Sequence, residues 1–129
     1  MHKMINSIFN KTVYVKIYEN SFTIKLIADG EKPITLNAHE PFSTKRLLVG
    51  QFSVAERLLK EGINNLFSGK WFAPSPIVVI HPMDKIEGGL SEIEARVFRE
   101  LAVGAGARKV VLWMGHELSD DEVHKHSSI

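Results

Sequence analysis

The run Ile77-Val78-Val79-Ile80, closed by Pro76 on one side and Pro82 on the other, restricts the fold more than any other feature of the chain. It is apolar on both faces, the pattern of a strand buried inside a parallel sheet rather than one with a wet face. Such a strand needs a crossover to reach its next parallel neighbour, and the residues that follow supply one. Gly88-Gly89 makes a turn, Ser91 and Glu94 have capping-box spacing, and Ile93, Val97, Leu101 and Ala105 recur at helical intervals up to Gly104 and Gly106. Residues 109–114 then read as a second parallel strand. Strand, helix and strand on short links predict a right-handed βαβ unit.

Upstream the period changes to two. Val13, Val15, Ile17, Phe22, Ile24 and Leu26 alternate with more polar residues, Glu19-Asn20 and Asp29-Gly30 supply turns, and residues 33–38 can form a third strand, so this part reads as a β-meander. Ser53 and Glu56 again have capping-box spacing, and Ala55, Leu58, Leu59, Ile63 and Leu66 form an apolar stripe, which predicts a helix over residues 53–67. The expectation is a single α/β domain with a mixed five-stranded sheet, spanning residues 1–116 with a lead-in at 1–11. Residues 117–129 read as a polar tail, mobile or only loosely docked, because nothing beyond Leu118 and Val123 suggests an apolar stripe.

The chain has 129 residues, a net charge of +1 and no cysteine. That length suits one compact domain. The charge provides no basic footprint for nucleic acid, and the missing thiols exclude disulfides and thiolate metal sites. No apolar run approaches the roughly 20 residues that cross a bilayer. A cytoplasmic protein is expected. Met1, Met4, Ile5, Ile8 and Phe9, with His2 and Lys3, could touch a membrane as an amphipathic segment, but a single lysine before Lys11 makes the attraction weak.

Several stretches are more specific than this pattern. Phe72-Ala73-Pro74-Ser75-Pro76-Ile77-Val78-Val79, Ser91-Glu92-Ile93-Glu94-Ala95-Arg96-Val97-Phe98-Arg99-Glu100 and Gly104-Ala105-Gly106-Ala107-Arg108-Lys109-Val110 resemble the bacterial actin homologue MreB where it enters its fourth strand, its next helix and its fifth strand. Ile8-Phe9-Asn10-Lys11, Ile34-Thr35-Leu36-Asn37 and the helix at 52–67 resemble earlier parts of the same family more weakly. The resemblance implies a ribonuclease H-like, actin-like subdomain IA over residues 8–114. It also implies that the insert before the first helix is cut to a loop at 41–48, and that the family's second half has no counterpart here.

What the resemblance implies for chemistry is negative. Actin-like ATPases carry an Asp-x-Gly-Thr hairpin on strand one, and the matching positions here are Lys16, Tyr18 and Glu19. Lysine cannot serve a bound magnesium as a carboxylate does, tyrosine blocks the close approach that glycine allows, and glutamate repels phosphate. The family's water-positioning glutamate at the end of strand five corresponds to Met114, followed by Gly115 and His116. No ATP hydrolysis and no cofactor are expected. Lys16 also argues against ribonuclease-H-type metal chemistry, which needs a carboxylate on strand one.

Other candidates carry less. His81, Asp84, Glu87 and Glu92 fall near the end of strand four, where open α/β sheets bind ligands, but a solvated loop rim explains them more simply. Gly88-Gly89 could offer amides to an anion, although a tight turn accounts for both glycines. His124, Lys125 and His126 beside Asp120 and Asp121 could ligate a metal, or form an ordinary solvated run. Trp113 suits core packing; Trp71 and Phe72 could form an interaction patch. The favoured function is a non-catalytic module that binds itself or a protein partner such as a cell-shape filament. The alternatives are a ligand binder or enzyme with a new site around His81 and Asp84, and a remnant without selected activity.

Overall fold

A computed structural model describes residues 11–70 and 75–128. The elements are β1 (Thr12–Tyr18), β2 (Ser21–Leu26), β3 (Ile34–Asn37), α1 (Phe52–Leu66), β4 (Ile77–Pro82), α2 (Glu92–Gly104), β5 (Lys109–Leu112) and α3 (Asp120–Ser127). The five strands form one sheet in the order β3-β2-β1-β4-β5. β2 pairs antiparallel with both β1 and β3, whereas β1 with β4 and β4 with β5 are parallel, so β2 alone runs against the rest. This is the mixed α/β sheet expected of an actin-like domain.

The burial of each strand follows its place in the sheet. All six residues of β4 are buried, as the doubly apolar run requires. β2 alternates strictly between buried and half-buried residues. β1 does not: Tyr14 is buried along with Val13 and Val15, because this strand lies between β2 and β4 and is covered on both faces. The hairpin after it turns at Asn20, with φ 55°. Asn20 also fastens the loop that precedes α1, because its Oδ1 accepts from the amides of Phe42 and Ser43 at 2.9 and 2.8 Å.

One face of the sheet carries the larger core. Val15, Ile17, Phe22, Ile24, Val78 and Ile80 meet Ala55, Leu59 and Ile63 of α1 and Phe98, Leu101 and Ala102 of α2. Two details of the helices differ from the sequence reading. The Ser53–Glu56 capping box does not form, because Phe52 packs on the core as the first helical residue and takes Ser53 into the first turn; the N-cap is Gln51, without a side-chain hydrogen bond. The Ser91–Glu94 box does form, with reciprocal bonds of 3.1 and 3.0 Å, but Ile93 is 77% exposed. α2 turns Phe98, Leu101 and Ala102 inward, which leaves Ile93 on the outer side.

The opposite face holds a second cluster of Tyr14, Ile27, Val79, Leu118 and Val123, with Val111 and Trp113 against it. Its cover is the segment read as a loose tail. α3 begins with a second true capping box, Ser119 with Glu122, and Val123 is fully buried. Three carboxylates in its first turn and His124, Lys125 and His126 in its last also match the helix dipole.

Candidate functional site

The hairpin between β1 and β2 is where the resembled ATPases would hold phosphate. Here the Glu19 amide donates to Asp84 Oδ2 at 2.8 Å, and Lys85 Nζ stands 3.2 Å from Glu19 Oε1. The chain's own carboxylate therefore occupies the turn donor. The next amide, that of Asn20, donates to Ser43 Oγ at 3.0 Å. An incoming phosphate would meet two carboxylates and no open turn donor at these positions.

Lys16 lies in register with His81 on β4, and its Nζ is 3.0 Å from Glu117 Oε1. Lys16 thus binds the segment that leads into α3. Tyr18 pairs with Ser21 at the start of the turn. Met114 is half-buried just after β5, with no carboxylate of its own to orient a water.

His81 is 1% exposed. Its Nε2 is 3.0 Å from the Gly115 carbonyl, and its Nδ1 is 2.7 Å from Tyr14 Oη. A carbonyl can only accept, so Nε2 carries the proton and Nδ1 accepts from the Tyr14 hydroxyl. That hydroxyl also accepts from the Leu118 amide at 3.1 Å. Burial pushes His81 below the usual histidine value, with Lys16 acting in the same direction, while the Gly115 carbonyl and Glu117 act against it. Burial likewise raises Tyr14. The pair is a neutral, internally bonded core element that joins β1 and β4 to the residues after β5.

The remaining sequence candidates are dispersed among other contacts. Asp84 holds Glu19, and Glu92 is exposed at the start of α2, where its charge suits the helix N-terminus. Gly88 and Gly89 have φ of 80° and 86°, and Gly89 donates back to Ile86, which identifies a tight turn. Asp120 pairs with Lys25 through both oxygens, at 2.8 and 3.0 Å. His126 packs on Trp113 with ring centroids 4.4 Å apart, and His116 binds Glu122 at 2.8 Å. Among the described residues no group of three or more His, Asp or Glu side chains could hold a metal, and no buried side-chain nitrogen or oxygen lacks a hydrogen-bond partner. Trp71, Phe72 and the N-terminal amphipathic segment lie outside the described residues. No described helix is long and apolar enough to cross a membrane.

Sequence reasoning missed Tyr14, Glu117 and the Ser119 cap. The signals were present: Ser119-x-x-Glu122 is a capping box, and Tyr14 falls on the face of β1 opposite Val13 and Val15.

Fold and hairpin together define a mixed α/β domain whose β1–β2 turn donors are engaged by the chain's own side chains. No protein-family model matches the sequence. It is 30% identical over 102 residues to the uncharacterised protein YjaA of Escherichia coli K12, covering 75% of this chain and 78% of that protein. The chain belongs to the YjaA family. It is also similar to the cell shape-determining protein MreB, at 34% identity over 83 residues in both Haemophilus influenzae and Escherichia coli K12. That match covers 64% of this chain and 22% of MreB, so the chain spans about a fifth of those relatives. A solved PPX-GPPA enzyme of Aquifex aeolicus aligns with a TM-score of 0.43 at 18% identity, over 81% of this chain and 36% of that one.

Proposed function

We propose that this protein is a non-catalytic, MreB-like interaction module that associates with itself or with a cell-shape filament protein and neither binds nor hydrolyses ATP. The observation that carries the reading is the bond from the Glu19 amide to Asp84: the turn that would cradle phosphate is closed by the chain's own carboxylate. The Lys16–Glu117 pair extends the same conversion, from a metal-facing position to a structural one.

Surface composition supports the binding half of the proposal. Ile93 and Val103 on α2 and Leu47 before α1 are large apolar residues left exposed. Ile93, Leu47 and Val97 border a shallow apolar hollow floored by Leu48, Val49 and Phe98. A contiguous exposed apolar patch is the kind of surface that a protein partner can cover. The test is a thermal-shift series with Mg-ATP beside a binding assay with purified MreB. Unchanged melting with nucleotide and a saturable complex with MreB or a self-associated species support the proposal; a specific shift with Mg-ATP overturns it.

A further inference from the structure

The segment 115–128 is fixed to the sheet by few apolar and many polar contacts. Leu118 and Val123 are its buried apolar residues. The polar contacts include Lys16 with Glu117, Lys25 with Asp120, Lys109 Nζ on the Ser127 carbonyl, Trp113 Nε1 on the His116 carbonyl and the Tyr14–His81 pair, and His126 packs on the Trp113 ring. An eight-residue helix is marginal without packing, so these contacts decide whether it stays folded. We propose that this segment is a detachable cap over one face of the sheet, latched by Tyr14 and His81 and released by mild acid.

The latch depends on a neutral ring. His81 holds the cap twice, through its own bond to the Gly115 carbonyl and through Tyr14, whose hydroxyl accepts from Leu118. A proton on Nδ1 turns that nitrogen from acceptor into donor. The Tyr14 hydrogen then has no acceptor, and a charge is buried in the seam between cap and sheet. Opening the cap exposes the ring to water and removes both penalties.

The charges around the ring are Lys16 on β1 and Glu117 and His116 on the cap, with Glu122 of α3 and Tyr18 of β1 nearer to Tyr14. Lys16 and Glu117 pair with each other, so their effects on His81 oppose. His116 and Glu122 become a full ion pair only when the imidazole is protonated, which tightens the cap against the proposed release. That opposition makes His81, rather than the surface histidine, the group a test must isolate.

The sign follows from the lowered His81 value. The neutral ring's support for the closed cap is complete above about pH 6.5 and is lost as pH falls toward the value of the buried ring, by up to tenfold in the opening equilibrium per pH unit. Release would uncover Tyr14, Val79, Val111 and Trp113 together.

Hydrogen exchange of the full chain at pH 7.5 and 5.5, corrected for intrinsic rates, tests this. The amides of 118–127 should lose about tenfold in protection while those of β1 and β4 hold theirs, and His81→Gln should abolish the difference. Equal loss throughout, no loss, or an undiminished loss in His81→Gln overturns the proposal. Should His81→Gln not fold, nuclear magnetic resonance of the unmodified chain decides. The His81 ring and the Trp113 indole should then shift together with a midpoint below 6.5. An indole that follows only His116 or His126 refutes the latch.

Discussion

Glu19 and Asp84 meet at the tip of the β1–β2 hairpin, where the backbone amide of one donates to the carboxylate of the other at 2.8 Å. The contact joins residues 65 apart in sequence and ties the hairpin to the loop after β4. Asp84→Ala should therefore cost about 1 kcal/mol of stability, as loss of one exposed charge-assisted bond does. It should not confer ATP binding, because Glu19 and Lys16 remain. Urea unfolding and a nucleotide thermal-shift series check the two halves.

Tyr14→Phe keeps the ring and removes a hydroxyl that donates to His81 and accepts from Leu118. Two buried groups then lack a partner, at a cost of about 1–3 kcal/mol. The loss should concentrate in the cap. Exchange of the Leu118 amide should accelerate more than that of β4.

Val123 is the fully buried apolar residue of α3. Val123→Ala should cost about 1–3 kcal/mol through the lost contacts and the cavity left behind. Exposed Lys125→Ala should stay within about 0.5 kcal/mol. Trp113 fluorescence should report the first change and not the second, since the indole packs against the same cluster.

The βαβ half of the fold was legible because its signals are local. Prolines bracket β4, a true capping box opens α2, and glycines close it. α3 was not legible, because an eight-residue helix with Val123 as its main apolar anchor shows no stripe, and its stability comes from partners on strands about 100 residues away. The same holds for His81. Its place at the end of a parallel strand suggested a ligand site, while its actual partner, Tyr14, is 67 residues distant. Ile93 was misassigned for a different reason: helical spacing identifies a face, but the packing angle of α2 on β5 and α1 selects which face is buried.

Acid sensitivity should appear in two stages. Hydrogen bonds from the Ser119 amide and the His116 ring hold the Glu122 carboxyl down to about 2, from the usual 4.5. A carboxylate with a lowered value contributes stability above about pH 4.5 that disappears as pH falls toward 2. His81 acts earlier, below about pH 6.5. Glu122→Gln should remove the lower stage and keep the upper one in a pH series of urea midpoints.

Sedimentation velocity of the purified chain, alone and with MreB, in the presence and absence of Mg-ATP, tests the central claim most directly. The account predicts association that is indifferent to nucleotide and weakened at least tenfold by Ile93→Asp. A monomer under every condition, or an association that requires Mg-ATP, would contradict it.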